Sequence, residues 1–225
     1  MLSLLHPYIF ISSGAGKSYG GAQQSSSNAM VSKVGCGIIA ATDTLLYLSR
    51  YHMGQAIEPF RQMQRSPSLS SDTYDACILD MRRHYFPLIP YAGINGLMLS
   101  TGMNRFFRDH RMPFKARWSV SGANMWDKIE KMLRADIPVI MSVGPNFPFF
   151  WRNERACFYV YRQEEGYIPS VSTKAHYFTV TGMDERWLRV SSWGRLYFLN
   201  RQEFEHYVRY HSTAILSNIL WIEKR

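Results

Sequence analysis

Cysteine is scarce in this sequence, and its few cysteines lie far apart. Only three occur among 225 residues, at positions 36, 77 and 157, and no two of them form a CxxC pair. Structural zinc sites and disulfide frameworks need closely spaced or evenly paired cysteines. The sequence therefore predicts neither a metal site nor a disulfide scaffold, and at least one thiol is left unpaired.

Long apolar runs and blocks of like charge are also missing. No run is long enough to span a membrane as a helix. The start, MLSLLHPYIFI, lacks a basic region and is interrupted by His6-Pro7, which argues against a signal peptide and favours a cytoplasmic location over secretion. The net charge is +9, but the lysines and arginines are scattered. Nucleic acid is therefore not an expected partner, although an anionic partner stays open.

The segment IFISSGAGKSYGGAQQ contains two incomplete motifs. A phosphate-binding loop needs a glycine where Ile11 stands and a helix directly after Ser18. A G-x-S-x-G hydrolase elbow needs earlier strands and a buried helix behind its serine, and only one short strand precedes Ser18. We therefore expect a glycine- and serine-rich loop here, with no bound nucleotide.

The predicted helices mostly precede the predicted strands. A loop over 13–28 leads to a buried helix from Gly37, and a polar connection covers 54–71. This order predicts an α+β fold, in which a helical half packs on an antiparallel sheet with a cleft between them. Further helices are predicted at 71–84, 94–110, 122–136 and 201–209, and strands at 8–12, 114–120, 137–144, 156–162, 174–183, 187–192, 195–199 and 217–223. The aromatic segment FPFFWRNERACFYVY is expected to pack in the core, with a substrate groove as the alternative.

Cys36 lies between two glycines at the start of the most apolar helix. A thiol at a helix N-terminus lies near the positive end of the helix dipole, which favours the thiolate, and Gly35 and Gly37 would leave room for a substrate backbone. A cysteine nucleophile needs a general base, usually histidine. Among seven histidines, His176 begins a strand whose hairpin partner carries Ser191. A small buried cysteine and an ordinary sheet histidine are the alternatives.

Four stretches follow one another in a characteristic order: GCGIIAATDTLLYL, IPVIMSVG, AHYFTVTGMD and VSSWG. The first and third resemble the nucleophile helix and the histidine strand of papain-like cysteine peptidases, especially the bacteriocin-processing, C39-like peptidases. The second resembles the strand before the histidine, and VSSWG is similar to the Asn-Ser-Trp-Gly of papain. The resemblance covers about residues 19–50 and 135–200. It implies a papain-like fold in a single domain over 19–225, preceded by an N-terminal segment over 1–18.

The resemblance also implies roles for individual residues. Cys36 would be the nucleophile and His176 its base, and Gln23 would donate its amide to the oxyanion together with the Cys36 backbone N–H. Gln24 and Asn28 are the alternatives to Gln23. Because the gap from Gln23 to Cys36 is longer than usual in the family, residues 24–34 would form an inserted loop.

One residue departs from the family pattern. Ser191 stands where papain has Asn and the related bacterial peptidases usually have Asp. Its hydroxyl would orient the imidazole of His176 without contributing a charge, and Ser192 and Asp184 are alternatives. Trp193 would cover the imidazole and, with Gly35 and Gly37, is predicted to line the substrate site.

The predicted reaction is acyl transfer from a peptide or amide bond to Cys36, followed by hydrolysis. The expected partner is a peptide or protein, with no metal and no organic cofactor. The same groups could serve an acyltransferase or a transglutaminase-like amide exchange, because only the acceptor differs. Ser191 leaves a third alternative, a catalytically inactive papain-like binding module.

Overall fold

Helices and strands alternate less regularly than in an α/β protein. The structure, a computed structural model, describes residues 1–14, 16–66 and 69–225, so Pro67 of the predicted polar connection lies outside it. The helices are α1 (Ala29–Val34), α2 (Cys36–Tyr51), α3 (Arg61–Gln64), α4 (Ser71–His84), α5 (Gly96–Asp109), α6 (Met125–Arg134) and α7 (Arg201–His211). The strands are β1 (Leu2–Ser3), β2 (Phe10–Ser13), β3 (Gly16–Tyr19), β4 (Leu69–Ser70), β5 (Phe114–Trp118), β6 (Val139–Val143), β7 (Ala156–Arg162), β8 (Gly166–Thr173), β9 (His176–Met183), β10 (Trp187–Ser192), β11 (Arg195–Asn200) and β12 (Ile219–Lys224).

Most strands belong to one large antiparallel sheet. Its order is β5-β12-β6-β9-β10-β11-β7-β8, and β1 pairs with the far end of β9. A smaller sheet has the order β3-β2-β4, in which β4 runs parallel to β2. The α+β class predicted from the sequence is therefore confirmed: helices pack on a large antiparallel sheet.

Helix α2 is the central helix of the molecule. Every residue from Gly37 to Ser49 is buried, and the helix contacts β9 and β6 on the sheet side and α3, α4 and α5 around it. Alanine and leucine favour this helix intrinsically, and its nearly all-round apolar surface requires burial on all sides. The helix thus fixes Cys36, its first residue, against the middle strand of the sheet.

The first residues of the chain pack into the same core as the rest. Residues 1–14 and 16–18, predicted to precede the domain, supply β1, the β2–β3 hairpin and four buried side chains: Leu4, Tyr8, Ile9 and Ile11. The hairpin pairs Phe10 with Tyr19. The loop predicted over 13–28 is therefore wrong in part, because β3 and a 3₁₀ turn at Gln23–Ser25 lie within it.

Candidate functional site

Cys36 lies at a tight junction between two helices. Gly35 ends α1 and caps α2, and its N–H donates to the carbonyl of Val31 at 2.8 Å. Burial raises the pKa of the Cys36 thiol, and hydrogen bonds from the backbone of Tyr177 and Gly37 offset only part of that shift. This shift runs against the thiolate predicted from the helix N-terminus, since loss of solvation disfavours the charged form.

The two glycines beside Cys36 are in contact with the protein itself. A Cβ on Gly35 would lie 2.4 Å from the carbonyl oxygen of Val31, and one on Gly37 would lie 2.5 Å from Cγ2 of Ile94. Each glycine therefore allows a close approach within the fold. The predicted role of Gly35 and Gly37 toward a substrate backbone stays a prediction.

His176 begins β9 and is almost fully buried. Its Nε2 lies 2.7 Å from Oγ of Ser192. Burial lowers the pKa of His176 to about 3, so the imidazole is neutral. A neutral ring that donates from Nε2 carries its lone pair on Nδ1, and that nitrogen can accept a proton.

Trp193 lies flat on the imidazole of His176. The ring centroids are 4.0 Å apart with an interplanar angle of 10°. Trp193 and Gly194 have φ angles of 48° and 73° and form the two-residue turn between β10 and β11. A left-handed conformation is costly for a bulky side chain, on the order of 1–3 kcal/mol. Stacking on His176 and edge contact with Phe158 at 5.5 Å hold the tryptophan there.

Ser192, rather than Ser191, contacts the histidine. The hydroxyl of Ser191 donates to the backbone carbonyl of Tyr19 at 2.8 Å. This corrects the prediction that Ser191 orients His176. The two adjacent serines point to different partners, since neighbouring side chains of a strand face opposite sides of the sheet.

A β-bulge in β9 determines which of the two serines lies on the same face of the sheet as His176. The partners of β10 pass directly from Gly182 to Val180, so Thr181 is an extra residue in β9. Such a bulge shifts the register by one residue and moves each later side chain to the other face. Uninterrupted pairing would place Ser191 on the face of the histidine, and the bulge places Ser192 there instead.

The remaining alternatives have other partners or face solvent: Asp184 for orienting His176, and Asn28 and Gln24 for binding the oxyanion. Asp184 accepts from the backbone N–H of Trp187 at 2.7 Å in the β9–β10 turn. Asn28 is the N-cap of α1 and accepts from the N–H of Met30 at 3.1 Å. Gln24 is exposed.

Gln23 lies near Cys36 despite the long gap in sequence. The predicted inserted loop, 24–34, instead contains α1, which returns the chain so that Gln23 and Cys36 line the same cavity. The Gln23 amide Nε2 donates to the carbonyls of Ser32 (3.1 Å) and Lys33 (3.3 Å), near the C-terminal end of α1. Its Oε1 is buried without a hydrogen-bond partner in the described part of the chain. The amide donors predicted for an oxyanion are therefore engaged within the protein.

Cys36 and His176 line two spaces. One is a small cavity of about 20 Å³, which has room for a single water molecule. The other is a groove of about 530 Å³. Across the described ranges, no hydrogen bond joins the Cys36 sulfur to His176, and Lys33 is the sole charged side chain that lines the groove. Exposed apolar side chains stand along this groove: Tyr91, Leu97, Val120 and Ile215.

Asp43 is a buried carboxylate that the sequence reasoning missed. It lies on α2, lines the small cavity and accepts from Tyr74 Oη at 2.6 Å and from the N–H of Gly21 at 2.9 Å. Burial raises its pKa to about 6, and hydrogen bonds from Tyr74, Gly21 and Tyr8 limit the rise. An acid inside the otherwise apolar run GCGIIAATDTLLYL was the available signal, since unpaired buried charge is costly.

The described ranges contain neither a cluster of metal ligands nor a membrane-spanning helix. No three His, Cys, Asp or Glu side chains there are grouped as a metal site would require. No helix within these ranges combines the length and the apolar character needed to cross a bilayer.

Comparison with known proteins gives little to identify the chain. No protein-family model matches it, and no curated protein matches it. One similar solved structure is the crystal structure of a Bacillus anthracis protein provisionally described as a C39-like peptidase. The two share 13% identity with a TM-score of 0.46, over 85% of this chain and 90% of that one. A TM-score this low assigns neither a family nor an activity.

Proposed function

We propose that the protein is a papain-like cysteine hydrolase that cleaves a peptide or amide bond with Cys36 and His176. The observation that supports this most is the environment of the histidine. Ser192 engages Nε2, Trp193 covers the ring, and Nδ1 remains to receive a proton beside a cavity that Cys36 also lines. A neutral, oriented imidazole next to a thiol is the arrangement that nucleophilic catalysis needs.

The proposed chemistry begins from neutral groups. As the Cys36 sulfur attacks the carbonyl carbon, its proton passes to Nδ1 of His176, and the imidazolium is held through Nε2–H by Ser192. The C–N bond then breaks, and the imidazolium proton goes to the leaving amine. Water attacks the resulting thioester with His176 again as the base, which releases the acid and restores the thiol. A concerted transfer is favoured over a preformed ion pair, because burial disfavours both charges.

The groove gives the class of substrate. Its walls are mostly apolar, with Lys33 among the lining residues, so an extended peptide with apolar side chains is the substrate that fits. The backbone N–H of Cys36 would donate to the oxyanion. The Gln23 amide would join it after leaving the carbonyls of Ser32 and Lys33.

A non-catalytic papain-like binding module is the second candidate. The raised pKa of Cys36, and the lack of a hydrogen bond from its sulfur to His176 within the residues described, favour it. In that case the groove would bind the same apolar peptides without forming an acyl-enzyme.

A peptide vinyl sulfone with apolar side chains, followed by intact mass spectrometry, tests the proposal. We expect an adduct on the wild type, on Cys77→Ser and on Cys157→Ser, and none on Cys36→Ser. His176→Ala should slow adduct formation by at least about a hundredfold, the lower end of general-base effects. Peptide binding without any adduct would favour the binding module, and trapping of a thioester by added amine rather than water would favour a transferase.

A further inference from the structure

The loop between β6 and β7 exposes four aromatic rings within five residues. Phe147, Phe149, Phe150 and Trp151 have exposed fractions of 44%, 40%, 57% and 78%. This segment was predicted to pack in the core, and only its later part, which forms β7, enters the sheet. Contiguous exposed aromatic surface of this kind is rare on soluble proteins and marks an interaction site.

The rings are held together rather than scattered. Phe147 packs edge-on against Phe150 at 5.6 Å, and Phe149 against Trp151 at 5.3 Å. The base of the loop is closed by Asn146, which is buried and whose Nδ2 donates to the carbonyl of Glu154 at 3.1 Å. The aromatic tip, residues 147–151, therefore consists of two packed pairs of rings on a stem that Asn146 holds.

Three cationic side chains lie on or beside this loop. The Arg152 guanidinium lies 4.6 Å from the centroid of Phe149, and Lys174 Nζ donates to the carbonyl of Arg152 at 3.4 Å. Arg155 Nη1 donates to the carbonyl of Ser172 at 3.4 Å. No salt bridge among the residues described uses any of these three cations. Glu154 is the acid at the base of the loop, and the whole chain carries a net charge of +9.

We propose that this loop docks the protein on an anionic lipid bilayer, with the aromatic tip in the interface and the cations on the lipid headgroups. Trp and other amphipathic aromatic residues favour the membrane interface. Stable but reversible attachment typically needs both an apolar and a basic contribution, and the loop supplies both. A purely apolar partner would leave Arg152, Arg155 and Lys174 without a counter-charge, which favours the bilayer over an apolar peptide.

The position of the loop bears on the candidate site. Pro145 lines the groove and lies at the start of this loop, shortly before Phe147. Docking would therefore bring the apolar groove close to the membrane surface. The proposal does not depend on catalysis and holds equally for a binding module.

Co-sedimentation with phosphatidylcholine vesicles, with and without phosphatidylglycerol, tests it. We expect the wild type to bind only the anionic vesicles. The double variant Phe150→Ser/Trp151→Ser should bind at least about tenfold more weakly. The matched control Leu5→Ser/Tyr161→Ser, which removes side chains exposed by 81% and 56% elsewhere, should bind like the wild type. Circular dichroism would check that each variant is folded.

A second pair of variants separates local charge from net charge. Arg152→Gln/Lys174→Gln should weaken binding by about fivefold for each charge removed. Arg65→Gln/Arg83→Gln lowers the net charge equally at exposed positions away from the loop and should cost much less. Equal losses in the two pairs, or no binding of the wild type to anionic vesicles, would overturn the proposal. So would apolar-peptide binding that needs Phe150 and Trp151 without any vesicle binding.

Discussion

Replacing the two adjacent serines one at a time tests the arrangement of the candidate site. Ser191→Ala and Ser192→Ala remove the same hydroxyl from neighbouring residues of β10. Each serine is 4% exposed. The Ser191 hydroxyl bonds the Tyr19 carbonyl, and the Ser192 hydroxyl bonds His176. The pair therefore differs in whether the histidine loses a hydrogen-bond partner.

The expected costs in stability are similar. Ser192→Ala leaves the buried Nε2 of His176 without its hydrogen-bond partner, and Ser191→Ala leaves the Tyr19 carbonyl without that donor. An unsatisfied buried polar group costs about 1–3 kcal/mol. Both variants should therefore lower the free energy of unfolding by about that amount. Their effects on the imidazole should differ, because only Ser192 contacts it, and in the proposed tautomer the Ser192 oxygen accepts from Nε2–H and leaves Nδ1 free.

Ring ¹⁵N resonances of His176 and urea unfolding measure these two quantities. We expect the Nε2–H tautomer in the wild type and in Ser191→Ala, and a mixture of tautomers in Ser192→Ala. Vinyl sulfone addition at Cys36 should slow in Ser192→Ala alone. A tautomer that changes in Ser191→Ala and persists in Ser192→Ala would refute both the bulge at Thr181 and the role assigned to Ser192.

Three further outcomes follow from burial. The pKa of Asp43 is raised from 3.8 to about 6, so the folded state favours its neutral form. The unfolding free energy of the wild type should therefore fall by about 3 kcal/mol relative to that of Asp43→Asn as the pH rises from about 4 to about 6. A difference in unfolding free energy that stays the same across this range in urea titrations would contradict this. Gly37→Ala places a Cβ 2.5 Å from Ile94 and should destabilise by about 1–3 kcal/mol, whereas Gly14→Ala, with no neighbour within 4 Å, should be nearly neutral to chemical unfolding. The rate of iodoacetamide alkylation of Cys36 should still rise with pH beyond the ordinary thiol value of 9.0, and a plateau below neutral pH would exclude the raised thiol pKa.

Sequence patterns predicted the helices and strands that have a cap residue or a clear apolar periodicity of their own. The helix expected over 71–84 is α4, since Ser70 supplies the cap and apolar side chains recur on one face. The strands expected over 156–162 and 187–192 are β7 and β10 with the same bounds. In contrast, β8 was missed because it is polar, half-exposed and contains Pro169, and only its pairing with β7 at the sheet edge makes it a strand.

The sequence predicted which residues of the candidate site follow one another along the chain, but not which side chains contact one another. Cys36 and His176 were found because a helix start and a strand start are local features. The partner of His176 depends on one extra residue, Thr181, in a neighbouring strand, and no hydrophobic pattern reveals that shift. The close contacts at Gly35 and Gly37 were not predictable for a similar reason, since only the folded chain brings Val31 and Ile94 against them.

The electrostatics of the resting site follow from burial more than from the helix dipole. A helix N-terminus stabilises an anion by about 0.3–1 kcal/mol, and by up to about 2 kcal/mol in buried geometries. Burial holds the pKa of His176 at about 3 and moves that of Cys36 above 9.0. Both shifts have the same cause and the same consequence, because loss of solvation penalises the thiolate and the imidazolium alike. The resting groups are therefore neutral, and the proposed reaction moves the thiol proton together with the attack on the substrate.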